Sequence, residues 1–364
     1  MMNNKLTRVG SIPLFSGRQT LDIHYTKKKT MKKVNQYYLL KSIGEGSFAK
    51  VFLGYEKINK DNEEYGEYYA LKKVLLSTLS KSITGISQLE QEVEIMRKLK
   101  HPNIISMKEV IHVPHQTAVY MVLQYADCGS LDDLLKMGEN FSDEQIRYMF
   151  KQIVDGVNYL HENQLVHQDL KPANIMLDSS GAVLISDFSV GHSFQNAAVY
   201  VGSPAFQAPE VIGADDEDFG EYEPGKEDIW SLGVTLYLMV YGELPFPGET
   251  SFEIFTSIKN AVFERPIIDN DDGFWDLLQG MLTYNQHDRF DIKQVLQSKY
   301  VAEAQYVDLE LASKAKPKPV FDPKVKAVEV KGRVCHDGYC FTKSDKSYHT
   351  MLTSQSLPFR SPFG

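Results

Sequence analysis

The chain has 364 residues, 43% of them hydrophobic and 24% charged, which suits a folded protein with one large two-lobed unit or two ordinary domains. Its net charge of −9 conceals a basic start (+7 over residues 1–36), a basic end (+3 over 301–364) and an acidic body of about −19 between them; an acidic body argues against a nucleic-acid reader, whose folded face must be basic. No apolar run approaches the roughly 20 residues that span a bilayer, no secretory stretch opens the chain, and three cysteines (Cys128, Cys335, Cys340) cannot build a disulfide framework, so a protein without a transmembrane segment, in a reducing cytoplasmic or nuclear compartment, is expected.

Residues 1–36 mix Asn, Lys, Thr and Gly without a sustained period and read as a flexible basic arm. Its lysines, among them Lys27, Lys28, Lys29, Lys32 and Lys33, suit docking on the acidic body, a nuclear address or anionic lipid, and equally a plain solvated arm. From Tyr37 the pattern changes. "YYLLKSIGEGSFAKVFLGYEK" gives two apolar runs about a glycine-rich turn, the signature of a β-hairpin, and "EYYALKKVLL" is a third strand. Residues 86–99 place Ile86, Leu89, Val93 and Met96 at helical spacing with Glu92 beside the stripe, and "MKEVIHV" and "TAVYMVLQY" are two further strands. A five-stranded antiparallel sheet with one main helix is expected over 37–124.

Beyond Tyr125 the pattern is helical. Ser142 with Gln145 forms a capping box ahead of an apolar stripe through Ile146, Phe150, Ile153, Val157 and Leu160. Residues 228–242 are apolar nearly all round and predict a buried helix, with further helices at 251–260, 273–283 and 291–299. A mostly helical lobe over 127–300 follows. Residues 301–364 form a Lys/Pro-rich extension, with 313–333 read as extended linker. Within it, "CHDGYC" (Cys335 to Cys340) offers zinc ligands without a partner pair and reads equally as a turn.

Four segments carry chemistry. In "GEGSFAKV", Gly44 and Gly46 leave backbone N–H groups open to close approach by phosphate, a weak signal alone; the following strand, in place of a helix, excludes Rossmann and Walker sites. Lys72 on the next strand reads by itself as an exposed strand lysine, and together with Glu92 as a held phosphate ligand. In "LVHQDLKPANIMLDSSGAVLISDFS", Asp169, Lys171, Asn174 and Asp187 supply a carboxylate to orient a hydroxyl, a lysine to neutralise a phosphoryl oxygen, and an amide and carboxylate to hold Mg²⁺. A polar loop with no such task does not account for all four in that order.

These segments, with "APE" at Ala208–Glu210, Asp228 in "DIWSLG" and Arg289 in "DRF", resemble the eukaryotic Ser/Thr protein kinase domain over residues 37–300. The resemblance implies the bilobal α+β fold and transfer of the ATP γ-phosphate to protein serine or threonine, with ATP and Mg²⁺ as cofactors. It implies that Lys72 contacts the α/β phosphates and pairs with Glu92, that Asp169 and Lys171 act at the transferred group, and that Asn174 and Asp187 hold metal. It gives Ile43, Gly44, Gly46, Ser47, Phe48, Val51, Ala70, Leu123 and Met176 to the nucleotide, with Gln124, Tyr125 and Ala126 as hinge; Leu123 serves plain core packing equally well. Arg289 pairs with Glu210 on the same reading.

Three departures stand out. Ala49 occupies a usual glycine position, Gln168 replaces the arginine that pairs with a phosphorylated loop residue, and Ser189 replaces the glycine of "DFG". Neutral Gln168 cannot make that charge-assisted bond, so activation without loop phosphorylation is expected. Ser189 is expected to hold Asp187 nearer its metal-binding arrangement; the rival reading is a pseudokinase scaffold that binds partners without turnover. "VGSPAFQAPEV" and "DIWSLGVTLYLMVYGELPF" are most similar to the calmodulin-dependent-kinase-kinase and liver-kinase-B subgroup, which implies another kinase as substrate and an activating scaffold or pseudokinase as partner. Ala173 and Leu238, where arginine-directed kinases carry acids, favour an apolar residue two before the acceptor.

Overall fold

The computed structural model describes residues 30–45, 49–57, 65–81, 85–113, 117–188, 192–193, 203–213, 221–260, 263, 265, 272–311, 326–331 and 333–334. The N-terminal lobe contains β1 (Thr30–Val34), β2 (Tyr37–Glu45), β3 (Ala49–Lys57), β4 (Tyr65–Leu75), a short α1 (Leu76–Leu79), α2 (Gly85–Lys98), β5 (Met107–Val113) and β6 (Ala118–Gln124). The C-terminal lobe follows with β7 (Gly129–Ser130), α3 (Leu131–Lys136), α4 (Asp143–Glu162), β8 (Leu165–Val166), β9 (Ile175–Leu177), β10 (Val183–Ile185), β11 (His192–Ser193) and α5 (Pro209–Ile212). It ends with α6 (Lys226–Tyr241), α7 (Ser251–Asn260), α8 (Asp272–Met281), α9 (Ile292–Gln297) and α10 (Lys299–Ala302), and two strands return to the first lobe: β12 (Lys326–Val330) and β13 (Arg333–Val334).

Alternation along the central strands makes two cores. In β4, Ala70, Lys72 and Val74 face one side of the sheet, while Tyr69 and Leu71 face the other. The first side packs on Leu89, Val93 and Met96 of α2, which recur at helical spacing, and merges with the core of the second lobe. The opposite side gathers Val34, Tyr37, Leu39, Tyr69, Leu71, Ile111, Val113, Tyr120 and Val122, all buried. A sheet buried on both faces explains why β6 reads as one continuous apolar run.

Among the described residues the large sheet has eight strands in the order β12-β1-β2-β3-β4-β6-β5-β13, and not the five expected. Strands β2 to β6 are antiparallel as anticipated; β1 pairs antiparallel with β2 and parallel with β12, and β13 pairs with β5. Val330 and Arg333, at opposite ends of that order, are three positions apart and separated by at most about 10 Å of chain. The two edges are therefore drawn together, and the sheet curls around its second core. This corrects the sequence reading of residues 30–34 as flexible arm and of 326–333 as linker. Lysines hid the period of "TMKKV", where Lys32 Nζ reaches Tyr120 Oη at 3.0 Å, and its partner strand lies almost 300 positions away. The second lobe also runs past residue 300, since α10 ends at Ala302 and Leu309 is buried in the main core.

The helices of the second lobe follow their sequence signals. Ser142 accepts from the Gln145 N–H while the Gln145 side chain accepts from the Ser142 N–H, the capping box that starts α4. The apolar α6 is buried along Ile229, Trp230, Leu232, Val234 and Leu236. It begins after Gly225, whose φ of +91° favours glycine and whose Cβ, if present, would stand only 3.0 Å from the His161 ring. Backbone bonds Ile105 N–H to Ile185 O and Ile185 N–H to Asn103 O, each 2.9 Å, tie the entrance of β5 to β10. None of the described helices is long and apolar enough to cross a membrane.

Candidate active site

The inward face of β4 aims Lys72 at the helical stripe of α2 that carries Glu92. Lys72 Nζ lies 2.6 Å from Glu92 Oε1 and 3.4 Å from Asp187 Oδ1, with the lysine 7% and Glu92 5% exposed. So little exposure leaves almost no water to screen the pair. Burial opposes the ammonium charge, but Glu92 and Asp187 outweigh it and raise the Lys72 pKa above the ordinary lysine value. The carboxylate of Asp187 is presented by a left-handed residue, φ +64°, a conformation that asparagine and aspartate tolerate better than most.

The residues on either side hold that turn. Ser186 donates from both its N–H (2.9 Å) and its hydroxyl (3.0 Å) to the Asn174 carbonyl. His167 Nε2 lies 3.0 Å from the Ser186 carbonyl, while His167 Nδ1 accepts from the Asp169 N–H at 3.3 Å. A carbonyl can only accept, so the ring proton sits on Nε2. Phe188 packs against the same ring, centroids 5.1 Å apart.

The loop after β8 is anchored from below by Asp228, in the first turn of α6. Its carboxylate, fully buried, accepts from the backbone N–H groups of His167 and Gln168 and meets His161 Nε2, each at 2.9 Å. Burial would raise this carboxyl, yet those donors hold it below the ordinary aspartate value. On top of the loop, Lys171 Nζ bridges both Asp169 carboxylate oxygens (2.6 and 2.8 Å) and donates to Ser203 Oγ at 2.7 Å. Asn174 Nδ2 donates to the Asp169 carbonyl at 2.8 Å and to its Oδ2 at 3.0 Å. Ser203 thus joins the Asp169 cluster through Lys171.

Between the lobes is a cleft of about 580 Å³. Of the sequence-derived residues, Ile43, Val51, Ala70, Lys72, Glu92, Leu123, Gln124, Tyr125, Ala126, Asn174, Met176 and Asp187 line it. Leu123 contributes to the cleft wall and the main core together. Gly44 lies in β2 opposite Val51 and is not part of the wall, and Gly46, Ser47 and Phe48 lie outside the described residues, as do Ser189, Cys335 and Cys340. Met96, Ile105 and Ser186 also line the cleft and were missed as site residues. Met96 was legible as a helix-stripe neighbour of Glu92, whereas nothing local marks Ile105. Asp169 opens onto an adjoining pocket of about 290 Å³ shared with Gln168, Ser203, Phe206 and Glu227.

The donor set fits a magnesium–nucleotide complex. Asp187 offers a carboxylate and Asn174, its amide nitrogen already committed to Asp169, offers its amide oxygen; hard oxygen donors in so small a number suit Mg²⁺, which takes one or two protein ligands beside substrate phosphates. Among the described residues there is no cluster of three or more His, Cys, Asp or Glu that would form an all-protein metal cage. Below the site, Arg289 forms a bidentate ion pair with Glu210 (2.6 and 2.7 Å), buried against the Trp230 ring, as its sequence motif implied.

A curled sheet with one main helix, a helical lobe, and a lysine–carboxylate cluster in the cleft between them define the two-lobed kinase architecture. Residues 37–301 match the model of the protein kinase domain. Serine/threonine-protein kinase STK11 of Mus musculus is 34% identical over 282 residues, covering 76% of this chain and 62% of the relative. A probable serine/threonine-protein kinase of Dictyostelium discoideum is 33% identical over 313 residues, covering 82% and 43%, and a carbon catabolite-derepressing protein kinase of Candida glabrata is 31% identical over 335 residues, covering 90% and 52%. The chain belongs to the protein kinase family. It spans less than two thirds of the length of each of these relatives.

Proposed function

We propose that the protein transfers the γ-phosphate of ATP to serine or threonine hydroxyls of protein substrates. The observation that carries this reading is convergence: Lys72, Glu92, Asn174 and Asp187, up to 115 positions apart, all open on one cleft, with Asp169 hydrogen-bonded to Asn174 beside it. Apolar Ile43, Val51, Ala70, Leu123 and Met176 form walls for a flat adenine ring, and the 124–126 backbone borders it. Lys72, oriented by Glu92, places a fixed positive charge against the phosphates. Asn174 and Asp187 would hold Mg²⁺, which supplies charge neutralisation on the phosphoryl oxygens. Asp169 orients the acceptor hydroxyl and accepts its proton, and Lys171 keeps a positive charge next to it.

Substrate choice follows from what the neighbouring positions lack. Ala173 and Leu238, both half-buried, present no carboxylate to an arginine, which favours an apolar residue two before the acceptor. The resemblance of "VGSPAFQAPEV" and "DIWSLGVTLYLMVYGELPF" to the liver-kinase-B subgroup supports a role as an upstream kinase acting on the activation segment of another kinase, with a scaffold or pseudokinase as activating partner. Neutral Gln168 supports activation that does not depend on a phosphorylated loop.

The reading is tested with purified protein, Mg²⁺, radiolabelled ATP and generic protein substrates, comparing the wild type with Lys72→Met and Asp187→Ala. Incorporation by the wild type at least about 100-fold above both variants is expected, because each variant removes charge that the transferred group needs. Equal background in all three would overturn it in favour of a non-catalytic scaffold.

A further inference from the structure

Gln168 is the residue next to Asp169, and its backbone is held in an unusual state. Its φ is +63°, a region that a glutamine seldom occupies unless its surroundings impose it. Two consecutive acids from the first turn of α6 impose it. Asp228 Oδ1 takes the Gln168 backbone N–H at 2.9 Å, and Glu227 Oε1 takes the side-chain Nε2 at 2.8 Å. The same Glu227 oxygen accepts from the hydroxyl of Tyr222, which lies ahead of α6, and the Gln168 amide is 3.5 Å from that hydroxyl. Glu227 is 5% exposed, so these partners stand in for water.

We propose that Glu227 is a positioning residue of the catalytic loop: it receives the side-chain amide of Gln168 and the Tyr222 hydroxyl on one oxygen, and so locks the backbone that aims Asp169. This deepens the reading of the site as a kinase active centre, and rests on it.

The charges around Glu227 agree with a neutral clamp. Asp228 and Glu210 are the acids that act on it, and the basic side chains nearby are engaged elsewhere: Arg289 with Glu210, His161 with Asp228, and Lys226 with the Arg289 carbonyl and Glu223. Burial first, and then the charge on Asp228, push the Glu227 carboxyl up to about 8. At neutral pH the proton therefore stays on Glu227, Asp228 keeps the charge, and a neutral amide donor meets a neutral acceptor. An arginine at 168 would instead demand a charged partner. Glu227 and Gln168 also form adjoining walls of the pocket onto which Asp169 opens, so loosening one moves the surface beside the reacting hydroxyl. The nucleotide cleft shares neither residue.

The test uses the full chain with Mg²⁺, ATP and a protein substrate, and compares Glu227→Ala with the conservative Glu227→Gln, whose amide oxygen still accepts. Glu227→Ala is expected to lower kcat by about tenfold or more while the Kd for ATP stays within about twofold, and Glu227→Gln to recover most of the loss. Gln168→Leu, which removes the donor and keeps the volume, should lose as much as Glu227→Ala, and the double variant no more than either. Amide hydrogen exchange of residues 165–175 gives a second readout that needs no turnover: faster exchange at Gln168 and Asp169 in Glu227→Ala and not in Glu227→Gln. Unchanged exchange and kcat in folded Glu227→Ala, or Glu227→Gln as impaired as Glu227→Ala, would overturn the proposal. A wild type without turnover but with the expected exchange pattern would sink the kinase reading and leave the clamp standing.

Discussion

Replacing Glu227 by glutamine should remove a pH dependence from the stability of the fold, and the direction follows from where the proton resides. The carboxyl is raised from 4.5 to about 8 by burial and by Asp228, so between those values the native chain binds a proton that the unfolded chain has released. Raising the pH through that window therefore favours the unfolded state. The wild type loses about 1.4 kcal/mol per pH unit from this one group, about 2.7 kcal/mol between pH 5.5 and 7.5. Below about pH 4.5 both states hold the proton, and above about pH 8 both have released it, so the contribution is flat outside the window.

Glutamine has no proton to lose. Any difference in packing between the two side chains is a constant, and it cancels when the variant-minus-wild-type difference is followed with pH. That difference should grow in the variant's favour by about 2.7 kcal/mol over the two units, equivalent to roughly 5–11 °C in Tm for a domain of this size. Urea unfolding at pH 5.5, 6.5 and 7.5, followed by the fluorescence of Trp230 and Trp275, measures it. A flat difference would mean that Glu227 is already ionised in the native protein at pH 5.5, as a cation partner would make it, and would refute the account of a neutral buried acid.

Two further perturbations probe other parts of the frame. Arg289→Ala leaves Glu210 buried and unpaired beneath the site, and should cost about 3–5 kcal/mol, seen as a lower Tm, with the double variant Glu210→Ala/Arg289→Ala regaining part of it. Truncation after Leu311 removes β12 and β13, opens both edges of the curled sheet, and should lower stability by roughly 2 kcal/mol or more while increasing the binding of an apolar dye, because the second core of Tyr37, Leu71, Ile111 and Tyr120 loses its closure. Unchanged melting and unchanged dye fluorescence would show that the returning strands contribute nothing.

What was legible in the sequence divides by the distance over which the signal acts. The strands from Tyr37 to Gln124, the cap at Ser142 and the all-apolar α6 are written in local periods, so they could be read in order. Lys72, Glu92, Asp169, Asn174 and Asp187 could be paired in advance because the order of their segments is itself distinctive, and the structure brings four of them to one cleft and sets Asp169 beside it. β12 and β13 carry no such mark, since each short stretch becomes a strand only when an edge more than 200 positions away presents its ladder. Glu227 was hidden for a subtler reason. An acid in the first turn of a helix is favoured by the helix dipole, and "KEDIW" reads as an ordinary solvated start. The counter-signal was the helix itself: α6 is apolar on every face, so even its first turn is covered and an acid there must find partners inside the protein. Gln168, taken alone, looks like the loss of an ion pair. Set against a buried acid that keeps its proton, it is the donor that such an acceptor requires, and the two positions make chemical sense only together.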